Sequence, residues 1–462
     1  MREHKFYKKY EATFSKLENS NILSYSIVIS RILPGTRLPT YVGAGLLRYP
    51  FWRFFSLTAV SVFLWVVAAL YAGHSLNHIL QKNWILSLLI LLTLLMFFKY
   101  LASNLIDPWK RKAFFHSWRK WQHFEFWPAW IFYLPIVPYY LYLSLKARSF
   151  LLPFYANPQI LNGGLIGESK FDFLKHLKKD DPTTLKCLYL DSTSADFIQS
   201  AIEQNQFSYP FIIKPDIGQR GYGVRIIRSQ ADLESYIHNN QSSSLILQEL
   251  SHHPREAGIF YYRHPSQEFG SIFSITDKKF PELVADGQKN LGDLILSDLR
   301  ARMIAPVYFS RHREQLDKVF PEGSKIQLSE CGNHCQGAIF ENGEYLMSDA
   351  LAKRIDSLAK SIPDFYIGRF DVKYRNEHLL TQGLEFQIVE VNGAGSEATH
   401  IWDSKTKLSE AYSVLFKQWK ILFEIGNEIK LQKRTQYNLK IWAFLKECFS
   451  VVRRNDKLSI SS

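Results

Sequence analysis

Two apolar runs set close together limit what the first part of this chain can become. Phe54 to Gly73 reads FFSLTAVSVFLWVVAALYAG and carries no charge. Trp84 to Ser103 reads WILSLLILLTLLMFFKYLAS, and its one charge, Lys99, lies near an end from which the ammonium can snorkel. Each run is long enough to cross a hydrocarbon core of ~30 Å as a helix. Leu- and Ile-rich runs of this length favour a span over a buried core helix. Neither lies at the N-terminus before a small-residue cleavage site, as a signal peptide would. A third apolar stretch, Phe126 to Leu145 (FWPAWIFYLPIVPYYLYLSL), is broken by Pro128, Pro135 and Pro138. Each proline frees backbone groups that lipid cannot satisfy, so residues 126–145 are predicted to be interfacial or re-entrant rather than a plain span.

Charge orients these segments. The residues before the first span are rich in Lys and Arg, and Lys110, Arg111, Lys112, Arg119 and Lys120 follow the second, whereas the link between them holds only Lys82. The positive-inside rule puts both basic flanks in the cytoplasm and the rest of the chain on that side of a bacterial-type cytoplasmic (inner) membrane, as a multi-pass protein. The 462 residues carry a net charge of +13, and four cysteines are too few for a disulfide scaffold. The basic excess clusters beside the spans and in the tail, so nucleic acid is not an expected partner. The tail, 430–462, places Trp442, Phe444, Leu445, Phe449 and Val452 at roughly helical spacing among basic residues. It reads as an amphipathic helix on an anionic membrane surface, or else as a helix packed on the preceding domain.

From about residue 160 the pattern changes to short apolar β-rich runs alternating with amphipathic helices, an α+β arrangement. YPFIIKPDIGQRGYGVRII (209–227) delivers Lys214 at the end of a strand, then a loop with Gly218, Gly221 and Gly223, then a second strand. Glycines let backbone N–H groups close on phosphate oxygens, and a lysine adds charge. LILQEL ends in Gln248 and Glu249, with Glu256 seven residues on. GRFDVKY puts Arg369 and Asp371 on one face of a strand, and FQIVEVN does the same for Glu390 and Asn392. Mg²⁺ (or Mn²⁺) bridging the phosphates of ATP needs such oxygen ligands. Taken singly, each residue also fits a solvated strand end, a cap or an ion pair.

In order and spacing, residues 160–425 resemble the ATP-grasp family, in particular the D-alanine–D-alanine ligase and cyanophycin-synthetase type. The resemblance implies two α+β lobes gripping ATP, preceded here by an α-helical membrane anchor. It implies that Lys170 (in GESK) and Lys214 are the ATP lysines and that the glycine loop is a phosphate lid. Gln248 and Glu249 would lie at the adenine hinge, and Glu256 would hold the ribose. Asp371, Glu390 and Asn392 would be the metal ligands, and Arg369 with Lys214 would stabilise the transferring phosphoryl group. VADGQKNLGDLI (284–295) is similar to a GDGK stretch of the cyanophycin branch, with Ala285 and Gln288 departing from it. Residues 5–80 resemble the C-terminal half of the DedA/VTT membrane family through Arg31, Pro34, Gly35, Arg37, Pro39, Ala44, Gly45, Phe54 and Trp65. The family's first half has no counterpart here. The expected organisation is a membrane region 1–150, an ATP-grasp domain 151–429 and the tail.

The resemblance implies an ADP-forming carboxylate–amine or carboxylate–thiol ligase working through an acyl phosphate. Its partners would be a small-molecule acid and amine, with lipid-linked molecules among the candidates because of the anchor. Two rivals share these residues: an ATP-grasp kinase acting on a hydroxyl, and a DedA-type lipid carrier with a regulatory nucleotide domain. SECGNHCQG (329–337) offers Cys331, His334 and Cys335 for a metal but no fourth ligand. It reads equally as an active-site loop with Asn333 and Gly337, or as plain structure. Arg300, Arg302, Arg311 and Arg313 form either an anion site or a solvated face. Glu397 and His400 are candidates for the acceptor site.

Overall fold

The computed structural model describes residues 20–30, 37–46, 49–80, 84–218, 221, 223–239, 244–329, 332–334 and 337–432. The chain divides into two compact units, 1–118 and 119–462.

The first unit is helical: α1 (Ser20–Ile29), α2 (Arg37–Leu46), α3 (Phe51–Leu80), α4 (Trp84–Ile106) and α5 (Pro108–His116). Leu23 and Ile27 of α1 and Ala44 of α2 are buried against Tyr49, Phe54 and Leu57. The residues Arg31, Pro34 and Gly35 lie outside the described residues. The expected spans 54–73 and 84–103 fall on α3 and α4, but their crossing of a membrane is not borne out. Among the described residues, no helix is long and apolar enough to cross a membrane. Phe63, Leu64 and Trp65 of α3 and Leu88, Leu91 and Met96 of α4 are exposed. Of the predicted tail, residues 433–462 lie outside the described residues.

The second unit opens at Arg119, well before the boundary expected at 150. Its first helices are α6 (Ala129–Tyr133) and α7 (Ile136–Lys146), so the segment 126–145 belongs to this unit. The three prolines fit this placement. Pro128 and Pro135 are the N-caps of α6 and α7, and Pro138 falls in the first turn of α7, where no intrahelical N–H is required. The prolines therefore start helices instead of breaking a span. Phe132 is fully buried, stacked on Tyr412 at 5.3 Å and beside Trp402 at 4.5 Å. Ile136 packs with it against Ala411 and Leu415.

Two antiparallel sheets follow. The smaller has the order β1 (Cys187–Leu190), β4 (Leu245–Glu249), β2 (Phe211–Pro215), β3 (Arg225–Ile227). The larger has the order β11 (Phe386–Asn392), β10 (Ile367–Tyr374), β5 (Arg255–Tyr262), β6 (Ser271–Lys279), β9 (Ile339–Asn342), and a small ribbon pairs β7 (Glu282–Val284) with β8 (Lys325–Gln327). Helices α8 (Lys170–Leu174), α9 (Ala195–Gln204), α10 (Gln230–Asn239), α11 (Leu291–Ser297), α12 (Ala305–Arg311), α13 (Asp349–Ser361), α14 (Glu377–Thr381) and α15 (Leu408–Leu431) complete an α+β unit. Ile198 and Ile202 of α9 and Leu233 and Tyr236 of α10 bury one face of the smaller sheet with Phe211, Ile213 and Leu247. Helix α13 starts where the Ser348 hydroxyl accepts from the Leu351 amide. Its Leu351, Ile355 and Leu358, at helical spacing, join Phe370, Val372 and Tyr374 of β10 in the larger core. Helix α15 packs Ile421, Ile425 and Ile429 with Phe260, Tyr366 and Ile367.

If residues 126–145 are part of this unit's core, Phe132→Ala is expected to cost about 3–5 kcal/mol of its stability. An earlier denaturant midpoint for the full chain would show this; an unchanged midpoint would return the segment to the lipid-facing reading.

Candidate active site

Period-two alternation builds the site. Strand β10 sends Phe370, Val372 and Tyr374 into the core and turns Arg369, Asp371 and Lys373 to a cavity. Register then sets their neighbours. Asp371 lies between Gly258 of β5 and Glu390 of β11, Arg369 lies opposite Asn392, and Glu256 lies opposite Lys278 of β6. Asp371 is saturated with donors. Its Oδ1 accepts from Lys278 Nζ at 2.9 Å and Arg369 Nε at 3.0 Å, and its Oδ2 from Arg369 Nη2 at 3.0 Å and Asn392 Nδ2 at 2.9 Å. Burial would push this carboxyl up, but Arg369 and Lys278 outweigh burial and hold it down to about 2. Lys278, also bonded to Glu256 Oε1 at 2.8 Å, is held above the usual lysine range by Asp371 and Glu256 against the opposing effect of burial. Gly258 makes room for this cluster: a Cβ there would lie 3.1 Å from Asp371 Oδ1 and 3.2 Å from Arg369 Cδ.

The other wall comes from the smaller sheet and α8. Lys214 Nζ donates to Gln248 Oε1 at 2.7 Å and to the Val389 carbonyl at 2.9 Å. That carbonyl is available because the β10–β11 register shifts after Asp371 and leaves Val389 without a cross-strand partner. Burial pulls the Lys214 ammonium down to about 8, against the opposing pull of Glu390. Lys170 donates to the Gly218 carbonyl and lies 3.6 Å from Glu390 Oε1. Asp216 fixes its helix, accepting from the Ser169 hydroxyl at 2.8 Å and the Phe171 amide at 3.0 Å.

These walls enclose a cavity of about 990 Å³. It contains Lys170, Lys214, Gly218, Gly221, Gln248, Glu249, Glu256, Arg369, Asp371, Glu390 and Asn392. Gly223 is not in the lining, and its carbonyl accepts from the Tyr236 hydroxyl at 2.8 Å. Gly221 and Gly223 have φ of 72° and 73°, left-handed values that favour glycine. Gln219, Arg220 and Tyr222 lie outside the described residues. Gln248 Nε2 is buried without a hydrogen-bond partner and lines the cavity, an orphan donor suited to a ligand acceptor. Glu256 faces the cavity with Oε1 on Lys278 and Gly332 packed over it.

Several residues escape a reading by sequence. Lys278 sits at a strand end in TDKK, where a lysine reads as solvated. Glu125, expected in the membrane region, receives both Nη atoms of Arg300, at 3.0 and 2.8 Å, and lies 3.1 Å from His334 Nε2. His334 and Arg300 outweigh burial and keep Glu125 below the usual carboxylate range. Arg300 is thus neither a solvated nor an open anion-binding residue. Of the 329–337 stretch, Gly332, Asn333 and His334 line the cavity, and Cys331 and Cys335 lie outside the described residues. Glu397 also lines the cavity, held by Tyr133 Oη at 2.5 Å and Trp402 Nε1 at 2.7 Å, and its carbonyl accepts from Arg369 Nη1 at 3.1 Å. His400 is not in the lining. Its neighbour Thr399 is.

Among the described residues, no group of three or more His, Cys, Asp or Glu is arranged to hold a metal. Two carboxylates on adjacent strands, one ionised well below neutral pH, and one amide oxygen remain. Asp371 already accepts two hydrogen bonds on each oxygen, so Glu390 is the carboxylate of this set open to a Mg²⁺, an ion that takes one or two carboxylates together with substrate phosphates.

A family model for the VTT domain matches residues 1–75. None of the curated proteins compared with the chain matches it. Its structural neighbours are ATP-grasp ligases and related synthetases. The bifunctional glutathione synthetase from Pasteurella multocida is similar over 58% of this chain and 37% of its own length, with 14% identity and a TM-score of 0.33. The D-alanine–D-alanine ligase from Bacillus anthracis is similar over 62% of this chain and 72% of its own, with 13% identity and a TM-score of 0.34. Carboxyaminoimidazole ribonucleotide synthase from Aspergillus clavatus, complexed with ATP, is similar over 51% and 46%, with 13% identity and a TM-score of 0.31.

Gly258→Val is expected to push Asp371 and Arg369 off their positions. Misplacement of that order costs roughly 100-fold in turnover. ATP turnover measured beside the melting curve tests this: full activity in a folded variant would show that the close approach is dispensable.

Proposed function

We propose that the second unit is an ATP- and Mg²⁺-dependent carboxylate–amine (or carboxylate–thiol) ligase of ATP-grasp type. The observation that carries the reading is the meeting of Lys170 and Lys214 with the Asp371–Glu390–Asn392 row across one cavity. Lys170, Lys214, Gly218 and Gly221 would hold the phosphates, and the orphan amide of Gln248 would bind the base. Glu390 and the Asn392 amide oxygen would hold Mg²⁺, with Asp371 joining them on giving up a donor, and the ion would supply charge neutralisation on the phosphates. The substrate carboxylate would attack the γ-phosphorus, breaking its bond to ADP and forming an acyl phosphate. The amine would then attack the acyl carbon, losing a proton, and phosphate would leave. Lys278 and Arg369 keep Asp371 ionised and oriented, so Arg369 positions the site as much as it meets the phosphoryl group. Glu249 and Glu256 would border the base and ribose. The VTT-domain match over residues 1–75 and the exposed apolar side chains of α3 and α4 support a further reading, that the first unit anchors the enzyme to a membrane with the ligase facing the cytoplasm.

Purified full-length protein with Mg-ATP and pooled acids and amines is expected to release ADP only when both pools are present. Glu390→Ala should lower that release by at least 100-fold, as loss of charge stabilisation at a transferring phosphoryl group does. ADP release with hydroxyl compounds alone would make the enzyme a kinase.

Lys214 gives a pH signature. Its ammonium is present below about pH 8 and lost above it, whereas bound phosphates would keep it charged. Nucleotide binding should therefore take up a proton above pH 8, and the Kd for Mg-ATP should rise by up to about tenfold per pH unit there. Lys214→Arg, charged throughout, should flatten the profile. A flat wild-type profile from pH 7.5 to 9.5 would exclude Lys214 as a phosphate ligand.

A further inference from the structure

The cavity's lining is not all polar. Besides the polar constellation it includes Tyr133, Ile136 and Val137 of α6 and α7 and Leu415, Trp419 and Leu422 of α15. Tyr133 marks the junction, because its ring belongs to the apolar part while its hydroxyl holds Glu397. Val137 lines the cavity and is also 53% exposed, so the apolar end reaches the surface at α7. At that surface Trp130, Leu134, Leu141 and Leu145 are exposed at helical spacing with Val137. Lys146 and Arg148 follow at the exposed end of α7, and the segment 126–150 contains no acidic residue. The nearby Glu424 of α15 pairs with Lys420 at 3.8 Å.

The geometry points to an amphiphilic substrate: a hydrocarbon chain lying between α6–α7 and α15, with its small reactive head at Glu397 and Arg369. Ile136, Leu415 and Leu422 are already buried, so the apolar surface open to water is that of Tyr133, Val137 and Trp419, which a polar acid or amine would leave wet and a chain would cover. The exposed apolar stripe with its cations at one end is where such a molecule would leave an anionic lipid surface and slide, tail last, past Val137. The ligase reading supplies the reaction, but the tail site stands on the cavity alone.

The test is a chain-length series on the full-length protein in the presence of Mg²⁺ and a non-hydrolysable ATP analogue. The probes are carboxylates from butyrate to decanoate and amines from butylamine to decylamine, with Kd read by titration. Affinity should rise by about fourfold per methylene while the chain fills the trough, in whichever arm carries the true head group. Val137→Trp, which plugs the mouth, should lower decyl affinity by at least tenfold, with analogue binding by the same variant reporting that it is folded. An affinity independent of chain length in both arms, or a decyl affinity untouched by a folded Val137→Trp, overturns the proposal. Chain-length-dependent binding without ADP release from ATP would count against the ligase reading and leave the tail site standing. ADP release indifferent to chain length would do the reverse.

Discussion

The buried carboxylate of Asp371 is the point on which the second unit turns. An isolated ionised carboxylate in that position would be costly. Here four donors from three side chains fill both oxygens, at 2.9 to 3.0 Å. Those donors come from β6, β10 and β11, so the charge is stable only when several strands are in register together. A one-residue slip of β11 would turn Glu390 and Asn392 to the opposite face, and filling Gly258 would displace the carboxylate itself. The chemistry of the site and the pairing of the larger sheet are therefore the same structural fact.

The β10–β11 register shift joins this sheet to the smaller one. By leaving the Val389 carbonyl unpaired it provides an acceptor for Lys214, whose own strand belongs to the other sheet. Lys214 is thereby fixed from both sides, through Gln248 within its sheet and Val389 across the cavity. Burial then makes its charge conditional on pH. A lysine so placed senses added negative charge strongly, because little solvent screens it. Lys170, tied to the Gly218 carbonyl, couples the glycine turn to the same field.

Much of this was legible in the sequence wherever function follows a strand's alternation. Lys214, Asp371, Glu390 and Asn392 sit on short apolar runs whose period of two puts them on one face, and the structure brings all four to one cavity. Lys278 was not legible, because a lysine pair at a strand end looks solvated until β5 and β10 are laid beside it. The Glu125–Arg300–His334 cluster joins residues 175 and 209 positions apart, and no local pattern announces such contacts. The packing of the segment 126–145 was not legible for a physical reason. Apolar residues interrupted by prolines describe a re-entrant loop in lipid, and they describe equally two short helices with prolines at their starts. Phe132 is buried against Trp402 and Tyr412, residues that the sequence places far away.

Helix α15 shows how the second unit joins a row of charged side chains to an apolar wall. One face of it, Ile421, Ile425 and Ile429, seals the larger sheet. Another, Leu415, Trp419 and Leu422, looks into the cavity toward α6 and α7. The sheet's polar row would bind any nucleotide and polarise any phosphoryl group. It offers little to distinguish one bound molecule from another, since its donors are already spent on Asp371. Discrimination must come from the surfaces that α15, α6 and α7 add, and those surfaces are apolar and aromatic. Tyr133 binds the two parts together: loss of its hydroxyl would free Glu397, and loss of its ring would open the apolar wall. Selectivity in such a site follows from how much hydrocarbon a substrate can bury before its head reaches Arg369, a quantity set by packing rather than by the residues that carry the reaction.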